Sequence, residues 1–316
     1  MLFKQSKDMK SKKYKPVFCI FAMVGSGVGI LIQKEFSSGF NEEGKNFDRD
    51  TFFGEKLIKF KNMISLERKK KIVEALIKYG REYEEDEGEY EEDEVVINPR
   101  RNPLGFLFGV IFDQSIRYGK AWEAPIELKK RLGHLDVRKI AKMRKSELEK
   151  VLRGRKDEEK SLHRFPEKLA DWIIEASKLI LSEYKGKAQN IWNDKPTAVE
   201  LINRLREFKG IGQKKANMAA EILLGQYGIK IRGKEHIDVS YDRHVRRVFL
   251  RTGLIEKDSV EEVIKIARLL HPSYPAELDI PAWKIGMKFC HFKNPECNKC
   301  PLRKVCPKLK VKVPRE

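Results

Sequence analysis

Four cysteines near the C-terminus, Cys290, Cys297, Cys300 and Cys306, are spaced C-x6-C-x2-C-x5-C, and no other feature restricts the fold so strongly. Thiolates this close in sequence can surround one metal centre, and Pro295 and Pro301 tighten the loops between them. A four-cysteine set is also a standard structural zinc site. Zinc ribbons, however, usually pair two short C-x2-4-C knuckles across a longer loop, and only one C-x2-C is present. A disulfide framework fits less well, because disulfide cysteines are spread through small secreted domains rather than gathered at one end of a large chain. The setting expected is therefore reducing and intracellular. Cys19 lies outside the cluster and is assigned no role.

Charge narrows the partner. Lys plus Arg number 66 against 47 Asp plus Glu, a formal net charge of +19. An excess this large favours a polyanion, since each phosphate neutralised releases condensed counterions. Anionic membrane surfaces would be attracted too, so residues 1–62 need a closer reading. A Lys-rich start is followed by the apolar run 17–32, an order that mimics a signal peptide or anchor. The run is too short to span a bilayer, holds three glycines and lacks a small-residue cleavage site. Its glycines also miss dinucleotide-loop spacing, because Ile30 stands where a third glycine is needed. Residues 1–62 are read as an accessory or poorly ordered extension, with no membrane partner.

From Met63 onward the pattern is helical. Ile64, Ile72, Val73, Leu76 and Ile77 share one face. The run 82–94 is almost wholly acidic and reads as a solvated linker. Segments 103–121, 125–133, 136–153, 166–184, 196–208, 213–226, 242–252 and 258–270 each show helical periodicity between Gly, Pro, Asn or Asp. There is no internal repeat, and the fold class expected is all-α.

Two short segments carry chemistry. In LREFKGIGQKKA (205–216), Gly210 and Gly212 flank an apolar residue between two helices. Glycines allow a sharp turn and close approach to a phosphate, and the amides opening the second helix then point at that anion. A lone G-x-G turn is also how many helices end. Ala216, Ala219 and Ala220 strengthen the reading, being small enough for close helix packing. In YDRHVRRV (241–248), the stripe of Val245, Val248 and Phe249 places Asp242 at or near a helix N-cap, a common position for Asp in any protein. Asp238 is a rival carboxylate.

Together, in this order, these segments and the cysteine spacing resemble the endonuclease III family of helix-hairpin-helix DNA glycosylases, over about residues 63–316. The resemblance implies two helical lobes with a DNA groove between them. One would be continuous (100–228); the other would join 63–99 to 229–316. It implies a [4Fe-4S] cluster on the four cysteines. It places Lys214 where bifunctional members carry a Schiff-base lysine, which fits the physics: a helix N-terminus and partial burial both disfavour an ammonium. Lys215 is then the ordinary phosphate-facing or solvent-facing lysine. Asp242 is the carboxylate that supports an oxocarbenium-like sugar, and the flanking His-Val-x-Arg-Val register fits there rather than at Asp238. Gln114, at the end of LFGVIFDQS (107–115), would enter the space left by a flipped base, with Phe165 as apolar wedge. Arg164 and His163 would meet the opposite strand or its phosphates, and Asp113 and Tyr118 would line the base pocket. The family's loop between the first two cysteines is basic, whereas HFKNPE (291–296) holds one Lys and an acid. The partner implied is double-stranded DNA with a damaged or mismatched base, bound by an intracellular monomer in cytoplasm or nucleoid. A monofunctional glycosylase and a non-catalytic iron–sulfur DNA-binding relative are the alternatives. An electron-transfer protein would explain neither the hairpin nor the charge.

Overall fold

The computed structural model describes residues 19–24, 27–32, 64–84, 97–155 and 159–311. The chain divides into two compact units, residues 1–63 and 64–316. In the first, strands β1 (Cys19–Val24) and β2 (Gly27–Ile32) pair antiparallel, with Cys19 opposite Ile32 and Val24 opposite Gly27. Most of the apolar run near the N-terminus thus lies in two antiparallel strands, and the Lys-rich start lies outside the described residues. No helix among the described residues is long and apolar enough to cross a membrane.

The second unit is all-α, as expected. It comprises α1 (Leu66–Glu84), α2 (Pro103–Phe112), α3 (Tyr118–Leu132), α4 (Val137–Ala141), α5 (Lys145–Arg153) and α6 (Pro166–Glu183). It continues with α7 (Ala198–Arg206), α8 (Gln213–Glu221), α9 (Arg243–Thr252), α10 (Val260–Leu270) and α11 (Asp279–Lys288). A single π turn, Ile222–Gln226, extends α8. The acidic run begins inside α1, which reaches Glu84; residues 85–96 lie outside the described residues.

Two hydrophobic clusters organise these helices. The larger is built on α2, whose sequence PLGFLFGVIF is apolar all round and buried from Leu104 to Phe112. A helix with no polar face must be enclosed on every side. Here α3 and α6 pack on it, α4 and α5 pack on α6, and the pair α7–α8 completes the lobe. Asn102 starts α2, its Oδ1 accepting from Gly105 N–H at 3.0 Å, with Pro103 in the first turn where its missing N–H costs nothing. The smaller cluster gathers Ile72, Val73 and Leu76 of α1 with Val245, Val248 and Phe249 of α9, Val263 of α10, Ile285 of α11 and Leu302. Gly286 lets α11 lie directly on α9, since a Cβ there would stand 2.7 Å from His244 Cβ.

Three helix boundaries differ from the sequence reading, each for a physical reason. The segment expected at 103–121 breaks after Phe112, where Asp113 caps the helix and Ser115 takes a left-handed φ of 57°. Helix α3 instead runs through Pro125. Ala121, Trp122, Ala124, Pro125 and Leu128 all face the core, and that burial outweighs the roughly 3 kcal/mol an interior proline costs. The segment 136–153 is two helices, because Asp136 caps the first and Glu147 reaches back to Arg144 N–H to start the second. Helix α11 was not among the segments read as helical.

The hairpin between α7 and α8 follows its glycines. Thr197 and Glu200 cap α7 reciprocally, Oγ1 accepting from Glu200 N–H (3.2 Å) and Oε2 from Thr197 N–H (2.7 Å). Gly210 takes φ +86°, and a Cβ there would sit 2.4 Å from Trp172. Gly212 caps α8, and nothing in the protein stands within 4 Å of where its side chain would point. As anticipated, Ala216, Ala219 and Ala220 are fully buried.

Candidate active site

Four elements converge at the first turn of α8. The Lys214 amine lies 3.4 Å from Asp113 Oδ2, beyond the end of α2, and 3.9 Å from Met218 Sδ. Its side chain is 39 % exposed and that of Asp113 is 16 % exposed, so the pair faces outward from a partly covered site. Lys215 does the opposite. It is buried, and its Nζ donates to Ile111 O at 3.0 Å. The reading of Lys215 as a surface phosphate contact is therefore corrected: its side chain turns inward. The ammonium satisfies one of the last carbonyls of α2, which are otherwise without partners inside the helix, and complements the negative end of the dipole. Burial lowers its pKa to about 8, Asp113 opposes that shift, and Lys214 adds to it.

Asp242 opens α9. Its Oδ1 accepts from His244 N–H at 2.6 Å and Val245 N–H at 3.1 Å, so Oδ2 takes no part in the cap. Asp238 is held differently. It is buried, and the Arg268 guanidinium grips both its oxygens at 2.7 and 2.9 Å. A carboxylate committed to a bidentate pair is a structural anchor, which leaves Asp242 as the available acid of the two.

Asp279, which sequence reasoning missed, lies behind both. It is buried at the start of α11, and its Oδ2 accepts from Ser240 N–H at 2.9 Å. Ser240 Oγ in turn donates to Lys214 O at 3.3 Å. Burial pushes the Asp279 carboxyl up to about 6; the Ser240 bonds and Lys214 oppose this, and Asp242 adds to it. Lys214 and Asp242, 28 residues apart in sequence, thus act on the same buried carboxyl. In the sequence, Asp279 looks only like a residue of a helical first turn.

His163 organises a second cluster on the same face. It is buried, and burial lowers its pKa, so the ring is neutral: Nε2 donates to Gln114 O (2.9 Å) and Nδ1 accepts from Phe165 N–H (3.0 Å). The expectation that His163 reaches a DNA strand is corrected, because it is an internal brace. Its effect is to bring Gln114 and Phe165 together. Phe165 is 42 % exposed, an unusual position for a large aromatic, and the Arg164 guanidinium lies over its ring at 4.8 Å. Tyr118 of α3 and Trp283 of α11 meet across the two lobes at 4.7 Å, and His244 approaches Trp283 at 6.2 Å.

The four cysteines are free thiols, each half-buried, in the loop after α11. Among the described residues, no group of three or more His, Cys, Asp or Glu side chains is gathered closely enough to hold a single metal ion. The thiols nonetheless act on one another. Burial first, then Cys290, Cys306 and Cys297, push Cys300 up to about 11. Arg251 of α9 braces the loop, donating to His291 O (2.6 Å), Phe292 O (3.0 Å) and Cys290 Sγ (3.4 Å). Lys308 N–H donates to Cys306 Sγ at 3.3 Å. Arg251 falls outside the motif that marks α9 and was not anticipated. Phe292, at the loop tip, is 79 % exposed.

No family model and no curated protein matches this chain. Solved structures do. A trapped endonuclease III–DNA covalent intermediate is 19 % identical, with a TM-score of 0.56, covering 78 % of this chain and 97 % of the other. A non-covalent endonuclease III–DNA complex is 20 % identical at the same TM-score and coverage. A thermostable thymine-DNA glycosylase is 14 % identical, with a TM-score of 0.53, covering 77 % and 96 %. The chain has the endonuclease III fold. Nearly the whole of each of these proteins is therefore matched, and what this chain holds beyond the endonuclease III fold amounts to about a fifth of its length.

The Asp279 environment predicts a pH signature. With its pKa raised from 3.8 to about 6, the folded state holds a proton that the unfolded chain has lost, so its contribution to stability falls as pH rises from about 4 to 6. Asp279→Asn can still accept from Ser240 N–H and has no such charge to bury. Measured by Tm, the variant should gain on the wild type between pH 4 and pH 7, by on the order of 2 kcal/mol. A wild-type-to-variant difference that is the same at both pH values would contradict this.

Proposed function

We propose that this protein is a DNA glycosylase that extrudes a damaged or mismatched base and cleaves its glycosidic bond, with strand cleavage through a Schiff base on Lys214. The observation that carries the reading is that Lys214 lies in the first turn of α8 with a partly exposed amine beside Asp113, Asp242 opens α9 fixed by two backbone N–H groups, and Ser240 ties the two segments together by donating to Lys214 O. Lys214 supplies a nucleophile for C1′ of the damaged nucleotide. Asp242, fixed by two backbone N–H groups, stabilises the positive charge developing on the sugar without moving.

DNA recognition is divided among the remaining groups. The open space above Gly212 and the amides that start α8 suit a phosphate. Gly210 serves the turn itself. Gln114 and Phe165, held together by His163, suit the gap and the wedge that base flipping requires, with Arg164 beside them. The formal +19 supplies the non-specific, salt-dependent part of binding. Lys215 acts from inside, anchoring the end of α2 that carries Asp113 and Gln114.

The donor set also fits a [4Fe-4S] cluster. Burial first, then the neighbouring thiols, push Cys300 and Cys306 up, so both are poorly placed as bare thiolates, and a cationic centre removes that conflict. The N–H groups of Arg251 and Lys308 directed at Cys290 and Cys306 are the outer-shell donors such a centre uses. When bound, the cluster would tie the loop to α9 and α11. Protein purified without oxygen should carry four irons and four acid-labile sulfides per chain, and stoichiometric zinc without sulfide would refute the assignment.

Base release is tested with a panel of duplexes, each with one lesion or mismatch. At least one should lose its base under single-turnover conditions. Asp242→Asn, which keeps shape and capping, should slow that step by roughly a hundredfold or more. Release from no duplex in the panel, or an unaffected Asp242→Asn rate, would refute the proposal.

A further inference from the structure

The site holds a carboxylate that the assigned roles leave unused. Asp113 stands beyond the end of α2, one residue before Gln114, and is the nearest acid to the Lys214 amine, with Oδ2 at 3.4 Å. Lys214 can attack only as a free amine, and its proton needs an acceptor. Among the described residues, no other acid lies within ion-pair distance of the Lys214 amine. Asp242 caps α9 through Oδ1, Asp279 is buried with Oδ2 on Ser240 N–H, and Asp238 is gripped by Arg268.

Resting on the function proposed above, we infer that Asp113 is a catalytic proton acceptor for Lys214. The Lys214 ammonium gives one proton to Asp113 Oδ2, and the freed lone pair forms the N–C1′ bond as the C1′–base bond breaks. The bonding electrons leave with the base, which takes the proton back from the Asp113 carboxyl, so the carboxylate is regenerated and no outside reagent is consumed. At an abasic site the freed amine adds instead to the C1′ aldehyde, and its second proton and the one held by Asp113 leave with the oxygen as water, giving the iminium that borohydride reduces.

Three features of the site support this step. The separation is at the loose end for proton transfer, as such pairs commonly are before substrate closes on them. Lys215, buried one residue along, sets a second amine beside that of Lys214 in the same turn, with its Nζ held on Ile111 O. DNA settling over the pair would exclude water, and a desolvated ion pair is disfavoured relative to the neutral amine and acid that one proton shift produces. The charged groups around the Lys214 amine are Asp113 from the end of α2, Lys215 from α8 itself, Asp242 at the start of α9 and, behind them, buried Asp279 from α11.

The test is borohydride trapping of the full-length protein on a duplex with one abasic site, with rates measured from pH 6.5 to 9.5. Asp113→Asn should be slower than wild type by roughly tenfold to a hundredfold at pH 7, on the scale of lost acid–base assistance. That deficit should shrink steadily towards pH 9.5, as hydroxide takes over the acceptor role. Asp113→Glu keeps a carboxylate and should retain the wild-type pH profile at reduced amplitude, which separates chemistry from misfolding. A deficit for Asp113→Asn that does not change with pH would reduce Asp113 to a positioning residue and overturn the inference. Equal or faster trapping would do the same, showing that the carboxylate only restrains the ammonium. No adduct from the wild type at any pH would overturn the proposed Schiff-base chemistry along with it.

Discussion

The contact on which the site depends is the one from buried Asp279 through Ser240 to the Lys214 backbone. Lys214 lies in the first turn of α8, which packs into the cluster around α2, and Asp242 starts α9, which packs into the cluster with α1 and α11, while Ile237, Tyr274 and Ala276, from the segments before α9 and α11, join the larger cluster. Apolar packing thus joins the two groups of helices, but it has little directional preference. Directional bonds settle the geometry at the site. Asp279 accepts from Ser240 N–H, Ser240 Oγ donates to Lys214 O, and Asp238 N–H donates to Asn217 Oδ1 of α8. Further out, the Tyr274 hydroxyl donates to Glu221, and Tyr118 meets Trp283.

A consequence is that charge near the amine is graded by depth. Lys215 and Asp279 lie deepest, and each has its charged form weakened by burial. Asp113 and Lys214 lie nearer the surface, where water still supports their ion pair.

Much of this was legible in the sequence because the signals were local. The cysteine spacing, the G-x-G turn with Lys214 after it, and Asp242 as an N-cap each depend on a few consecutive residues, and the hairpin and cap formed as read. What was not legible came from long-range packing. Nothing within a few residues of Lys215 shows that it points inward, since its partner Ile111 is 104 residues away. Asp279 and Arg251 are similar cases: their meaning comes from Ser240 and from the cysteine loop. Pro125 misled in the other direction, because a strong local rule was outweighed by burial. The break after Phe112, with Ser115 in a left-handed turn and no glycine or proline to mark it, is what brings Asp113 to Lys214.

The central claim is that Lys214, and not its buried neighbour, is the nucleophile. The most direct measurement is to reduce the complex with a cleavable duplex by borohydride, digest it, and locate the modified residue by mass spectrometry. The adduct should map to Lys214, leaving the Lys215 amine unmodified. An adduct on Lys215, or on any lysine outside the first turn of α8, would contradict the account.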